Sequence, residues 1–384
     1  MMMTRTIALS FIATLAMAQP TFAAAPAVSA ASAATHIAQG LRLIETAPGK
    51  QAWMSEKEIG ELSNFAHDQG HCGGFMDVTE HLNRQTLAVP FSLFDGREAT
   101  QQKIVTPLLR EVSAAKLLEK VRVLSAYKNR YYKSATGVQA AEWIRDQFKA
   151  IGKNRSDISV ELFKHSFIQP SVIARIAGRG PHKDEIVIIG AHEDSINWKG
   201  FFPGANDIAP GADDDASGVA TVLESFRILV EAGYQPDRTL EFMTYAGEEK
   251  GLLGSQDIAR SYQKAQKKVV GVLQMDMTFY PGSTPAITLI NDNTNAGLTD
   301  FTVKLIDTYV KFAHVLAPCG YACSDHASWN DAGYPSVFPF EAKMDDDNPA
   351  IHSPQDTLDK VDIVFGTHFV KLVTAFAVET TSAK

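Results

Sequence analysis

Apolar runs that end abruptly at an acid or a histidine constrain this chain more than any other feature. Glu185 to Gly190 reads EIVIIG and leads straight into AHEDS; Leu240 to Tyr245 leads to Glu248 and Glu249, and Val269 to Met275 to Asp276. Ser336 to Phe340 is a further strand candidate. Between these runs the apolar period changes to that of a helix. Val138 to Ile151 carries Ala140, Trp143, Ile144, Phe148 and Ile151 on one stripe, and Val219 to Leu229 carries Val219, Val222, Leu223, Phe226 and Leu229 on an inner face. Helical spacing is also found at Leu252 to Tyr262, Leu298 to Phe312 and Thr367 to Val378. Strands alternating with helices pack as an α/β layered sheet. In such sheets chemistry gathers just beyond the strand ends, so His192, Asp194, Glu248, Glu249 and Asp276 are the residues to weigh.

Taken singly, an acid that ends a strand is a turn or cap residue. PGADDDASG, just before the Val219 helix, reads on its own as an N-cap cluster. Gathered on one rim, with the later loop NPAIHSPQDT, the same residues make a ligand set. Imidazole and carboxylate oxygen suit zinc, and two histidines with three carboxylates hold two ions if one carboxylate bridges them. The Glu248–Glu249 pair adds something specific, because one member can ligate while its neighbour takes a proton from water.

The beginning of the chain reads as an address. Arg5 precedes an apolar run from Ile7 to Met17, followed by Ala23, Ala24 and Ala25, the order of a secretory signal peptide over residues 1–24. The run is short for a membrane span, and no later stretch reaches about 18 uninterrupted apolar residues, so no membrane anchor is expected. The net charge of -8 argues against wrapping nucleic acid or lying on an anionic membrane. A secreted or periplasmic location permits disulfides. Of the 3 cysteines, Cys319 and Cys323 read as a bridge across a tight loop, which leaves Cys72 over. Residues 25–105 form an N-terminal segment, a propeptide or accessory piece with no sustained period from His36 to Gln102. Within it His67, His71 and Cys72 have metal-like spacing but lack the glutamate of a zincin helix. The catalytic unit is expected over residues 106–384.

GAHEDS, PGADDDASGVA, YAGEEKGLLGSQ, QMDM, CGYACSDHASW and IHSPQDTLD occur in this order. Together they resemble the M28 family of zinc aminopeptidases, in particular its bacterial secreted leucyl-aminopeptidase branch, from about Leu117 to the C-terminus. The resemblance implies a mixed, mostly parallel central β-sheet flanked by helices on both faces, and two Zn²⁺ ions per chain. It makes His192, Glu249, Asp276 and His352 terminal ligands and Asp214 the bridge, with a cis peptide between Asp214 and Asp215. Glu248 matches the base that activates the water between the metals, Asp194 the acceptor behind His192, and Tyr321 a residue that steadies the oxyanion. Cys319 and Cys323 match the family's disulfide. Met277, Phe338, Phe340 and Ile351 match pocket positions, where the implied substrate is a peptide with a free N-terminus and the implied state a monomer.

Three positions depart from the leucine-preferring pattern. Glu193 replaces an apolar residue, and Met344 and Asp347 stand where those relatives are aromatic. Asp345 to Asp347 reads either as a solvated acidic turn or, through Asp347, as a preference for a basic N-terminal residue. The competing functions are another zinc hydrolase or a glutaminyl-cyclase-like transferase on the same scaffold, or a binding module that has lost the chemistry. The last is hard to square with five ligands and a base all in place.

Overall fold

The computed structural model describes residues 30–68, 73–89, 92–199 and 204–382. The leader expected over residues 1–24, His71, Cys72 and the His67 side chain lie outside the described residues. Eleven strands are described: β1 (Arg42–Ala47), β2 (Lys50–Met54), β3 (Met76–Asp77), β4 (Ile158–Phe163), β5 (Ser171–Ile176), β6 (Glu185–His192), β7 (Thr239–Tyr245), β8 (Lys268–Gln274), β9 (Ile287–Ile290), β10 (His314–Ala317) and β11 (Ser336–Phe340). The last eight form one sheet in the order β10-β9-β11-β8-β6-β7-β5-β4. Its centre, β11-β8-β6-β7, is parallel throughout, while β9 and β5 run antiparallel to their inner neighbours. This is the mixed sheet, parallel at its centre, that the resemblance implies.

Alternation along the central strand shows that both faces are covered, since successive side chains of a strand point to opposite sides. Val187 and Ile189 join the larger core, shared with the helices Ala114–Leu124, Ala135–Gly152, Ala216–Glu231, Ala296–Leu305 and Ile363–Thr381. Ile186 and Ile188 join a smaller one, shared with Ile258, Ala259 and Tyr262 of the helix Leu253–Lys264 and with Trp329. A strand buried on both faces is mostly apolar rather than alternating, which is why EIVIIG shows no alternation.

The helix Ala216–Glu231 is buried all round rather than on one face. The helices Ile363–Thr381 and Ala114–Leu124 pack against it, the former also touching β6 and β7, and Glu224 pairs with Lys120 at 3.0 Å and Arg227 at 2.6 Å. Ile363–Thr381 is long and apolar enough to cross a membrane, yet Phe369, Val370, Leu372, Val373 and Phe376 are fully buried in the core.

The N-terminal segment has structure that its sequence did not announce. β1 and β2 form an antiparallel hairpin, β3 pairs with β1, and the helix Glu56–Asp68 packs beside them. Such short elements bury too little apolar surface to stand alone. Ile44, Ile59 and Phe75 instead cluster with Tyr131, Tyr132, Ile196, Trp198 and Leu253 of the main unit. Residues before 106 also reach the main core. Phe94 and Val105 lie in the main core, and the Thr100 and Gln101 amides both donate to Glu379 at 2.8 Å.

Candidate metal centre

Each side chain of the centre is set by the end of a different element. β6 ends at His192, whose N–H donates to Asp215 Oδ2 at 3.1 Å. Asp215 caps the helix Ala216–Glu231 by accepting the Gly218 N–H at 2.7 Å. Position 218 must be glycine, because a Cβ there would lie 2.4 Å from the Asp215 carboxylate and 2.5 Å from the Met275 carbonyl. The Asp214–Asp215 peptide is cis, as the resemblance implies. Asp356 receives the Asp213 and Asp214 N–H groups, each at 3.0 Å, and so holds the loop that presents Asp214. Beyond β7, Gly247 takes a left-handed φ of 72° and starts the short turn Glu248–Lys250. Asp194 accepts the N–H of Glu248 at 3.0 Å on one oxygen and that of Glu249 at 3.3 Å on the other. Asp276 follows β8 and accepts from the Ser324 hydroxyl at 2.6 Å. His352, in a loop, has a φ of 54°, a left-handed conformation that non-glycine residues rarely adopt outside functional sites.

The result is two groups that share one residue. His192 Nε2 lies 2.9 Å from Asp214 Oδ1 and 3.4 Å from Asp276 Oδ1. His352 Nε2 lies 3.1 Å from Asp214 Oδ2 and 3.0 Å from Glu249 Oε2. Asp214 thus turns one oxygen to each group. Edges of this length suit ligands about 2.0–2.2 Å from a common ion. The donors also need one, since Asp214 Oδ2, Glu249 Oε1 and Asp276 Oδ1 are buried without a hydrogen bond, a costly state for carboxylate oxygen. His192, Asp215 and Asp276 also approach one another, but Asp215 is committed to the amides of His192, Gly218 and Met277.

The electrostatics agree. Burial and the neighbouring acids push Glu249 up to about 7 and Glu248 well above the usual carboxylate range. Burial opposes ionisation of Asp214 too, yet contacts with His192 and His352 hold its pKa below the ordinary value. For both histidines the surrounding carboxylates outweigh burial and raise the pKa well above normal. Crowded acids that resist ionisation beside histidines that hold protons describe a site short of positive charge, which cations would supply. Glu248 belongs to neither group.

Asp194 does more than the sequence suggested. It lies 3.6 Å from His192 Nδ1, and its shorter contacts are those to the turn bearing Glu248 and Glu249. Tyr321, expected beside the oxyanion, is bonded to the N-terminal segment. Its hydroxyl donates at 2.6 Å to Glu45 of β1, a buried carboxylate that also receives Arg84 at 2.7 Å. Cys319 and Cys323 are bonded. Met277, Phe338, Phe340 and Ile351 share a buried apolar cluster with Ile290, Met344 and the disulfide. Glu193 is fully buried and accepts from Thr244, away from the pocket. His326 is buried, bonds the Asp292 carbonyl at 3.1 Å and is pushed down to about 4 by burial, a neutral structural residue. Asp356 and Ser324 escaped the sequence reading, although both stand inside quoted motifs. An acceptor for backbone N–H groups has no spacing rule to reveal it.

The N-terminal segment reaches this centre. Ser63, Gly73 and Phe75 line a cleft with Trp198, Leu252, Ala322, Glu248, Glu249 and His352, leaving a cavity of about 10 Å³. The Gly74 N–H donates to the Ala322 carbonyl at 3.2 Å.

Comparison with known proteins gives the same picture. Residues 171–377 match the model of peptidase family M28. A "Probable leucine aminopeptidase" of Trichophyton verrucosum is 42% identical over 345 residues, spanning 88% of this chain and 92% of the relative. "Leucine aminopeptidase 1" of Arthroderma otae is 38% identical over 358 residues, 88% of this chain and 91% of the relative. The crystal structure of the LapA aminopeptidase of Legionella pneumophila superposes with a TM-score of 0.77 at 28% identity, covering 91% of this chain and 96% of that one. Glutaminyl cyclases also match, at 15–16% identity, and share the fold alone. The ligand geometry, the family match and the relatives agree: the chain belongs to peptidase family M28 and is a metallo-aminopeptidase.

Proposed function

We propose that the enzyme is a secreted two-zinc aminopeptidase that removes the N-terminal residue from peptides, with Glu248 as the proton-transfer group. The observation that carries this reading is the division of Asp214, one oxygen toward His192 and Asp276 and the other toward His352 and Glu249. Two zinc ions on these residues would polarise the scissile carbonyl and ease deprotonation of the attacking water. The protein's own part follows from where its groups stand. Glu248 takes the proton of the attacking water and returns it to the leaving amine. Asp194 fixes the turn that aims Glu248 and sets the orientation of His192. Asp356 and Asp215 hold Asp214 in its bridging position from both sides. The apolar cluster of Met277, Phe338, Phe340 and Ile351 receives the side chain of the departing residue.

The same reading gives the N-terminal segment a covering role. Phe75 and its neighbours occupy the approach to Glu248 and His352, so a peptide enters only after the segment is cleaved or shifts. The leader-like sequence at residues 1–24 supports export. The test is release of an aminoacyl anilide, abolished by a chelator and restored by zinc, with metal analysis giving two ions per chain. Hydrolysis of N-blocked peptides but not of free amino termini would overturn the proposal.

A further inference from the structure

The acidic turn before His352 holds three adjacent aspartates whose surroundings differ. Asp345 is exposed. Asp346 is committed outward, accepting the Ser283 N–H at 2.6 Å and its hydroxyl at 2.7 Å. Asp347 is turned in, and its Oδ2 is buried without a hydrogen-bond donor. The neighbouring acids Asp213 and Glu341 are fully buried and each has donors, although Glu341 Oε1, like Asp347 Oδ2, has none. Asp213 receives the Asn348 amide at 2.9 Å, and one Glu341 oxygen receives the Phe279 and Tyr280 N–H groups at 2.9 and 2.7 Å. No lysine or arginine among the described residues pairs with Asp347, and the charges acting on it include His352 and Asp214 of the metal centre.

The loop that carries Asp347 also contributes to an apolar cluster. Met277, Met344 and Ile351 belong to one buried cluster, and Ile351 and His352 follow Asp347 within the same loop. An apolar cluster whose loop also carries an acid oxygen without a donor matches the chemistry of one class of side chain: a long aliphatic stem with a cation at its tip. A leucyl side chain would use the apolar cluster and leave the acid oxygen without a partner, a mismatch that a binding site penalises.

We propose that this pocket selects an N-terminal lysine or arginine, with Asp347 receiving the side-chain cation. The inference rests on the aminopeptidase reading above and adds the substrate class to it. It departs from the leucine preference in the names of the relatives. Asp347 acts on the bound residue's side chain and takes no part in the proton transfers of the reaction.

The experiment compares kcat/KM for lysyl, arginyl, leucyl and N-acetyl-lysyl anilides, using enzyme purified in its secreted form. Wild type should favour lysyl and arginyl over leucyl. Asp347→Asn, which keeps the shape of the side chain, should lower the lysyl-to-leucyl ratio by at least about 10-fold. Asp347→Lys should depress it further and raise relative turnover of a glutamyl anilide. Melting curves of both variants check that the fold is kept. Equal loss on leucyl and lysyl substrates would mean that Asp347 serves the shared α-amino group, and would overturn the proposal. A wild-type preference for leucyl, or an unchanged ratio in Asp347→Asn, would also overturn it while leaving the aminopeptidase standing. Turnover of the N-acetylated substrate alone, or of none, would remove the parent reading as well.

Discussion

Replacing Asp194 by asparagine is the sharpest test of how this centre is held. The carboxylate is fully buried and accepts two backbone N–H groups, from Glu248 at 3.0 Å and Glu249 at 3.3 Å, on different oxygens. An asparagine of the same shape has one acceptor and one NH₂ group. Whichever way it turns, one of those N–H groups then faces another donor. Losing a hydrogen bond to a buried charge costs about 1.5–3 kcal/mol, and this loss falls on the turn that carries both the base and a ligand. Converted to rate, that is roughly a 10- to 150-fold fall in kcat/KM. His192 also loses the anion 3.6 Å from its Nδ1, so zinc affinity should weaken about 10- to 100-fold, the usual cost of removing such a supporting acceptor. Steady-state kinetics on a free-amino anilide, chelator competition for zinc and a melting curve together read these effects. A variant within about 3-fold of wild type in kcat/KM, with unchanged zinc affinity, would refute the reasoning, since the lost bond would then be worth well under 1 kcal/mol.

Glu248→Gln should keep its zinc and an ordinary KM while kcat drops about 10²- to 10⁴-fold, the range for removing a proton-transfer group; loss of a zinc ion would instead make Glu248 a ligand. Tyr321→Phe should lower the melting temperature by removing the bond to Glu45 but change kcat by less than about 3-fold, whereas an oxyanion donor would cost about 10²- to 10³-fold. Asp257 provides a pH test away from the metals. It sits 2.7 Å from His165 Nδ1 and 3.2 Å from His81 Nε2, and although burial opposes ionisation these contacts lower its pKa to about 2. A folded pKa below the unfolded one stabilises at pH above about 3.9, by roughly 2.5 kcal/mol, and the gain fades as pH falls toward the folded pKa. Unfolding free energies of wild type and Asp257→Asn should therefore differ by roughly 2.5 kcal/mol at pH 5, by about half of that at pH 3, and converge below about pH 2; a constant gap would show that the ion pairs are not its source.

Much of this protein was legible in the order of its residues. EIVIIG, LEFMTY and VVGVLQ lie at or within β6, β7 and β8, because a strand buried on both faces is mostly apolar over its length and shows up as a run, with Glu241 in β7 tolerated through its pairing with Arg175 and Tyr262. The candidate ligands were placed for a related reason: a parallel sheet leaves polar residues at the ends of such runs, so His192, Glu249 and Asp276 fall where the runs stop. The capping aspartate before the helix Ala216–Glu231 is a local signal too. What could not be read was whatever depends on partners far apart in the chain. Nothing in the order of residues says that Asp214 divides its oxygens between His192 and His352, or that Asp356 grips the Asp214 amide across 142 positions. Tyr321 reaches Glu45 across 276 positions, and an N-terminal sheet too small to stand alone acquires its core from Tyr131, Tyr132 and Trp198. Strand and helix periods record which face of an element is buried. They carry no record of what covers it, because that choice is made by packing between elements whose separation along the chain leaves no pattern in either.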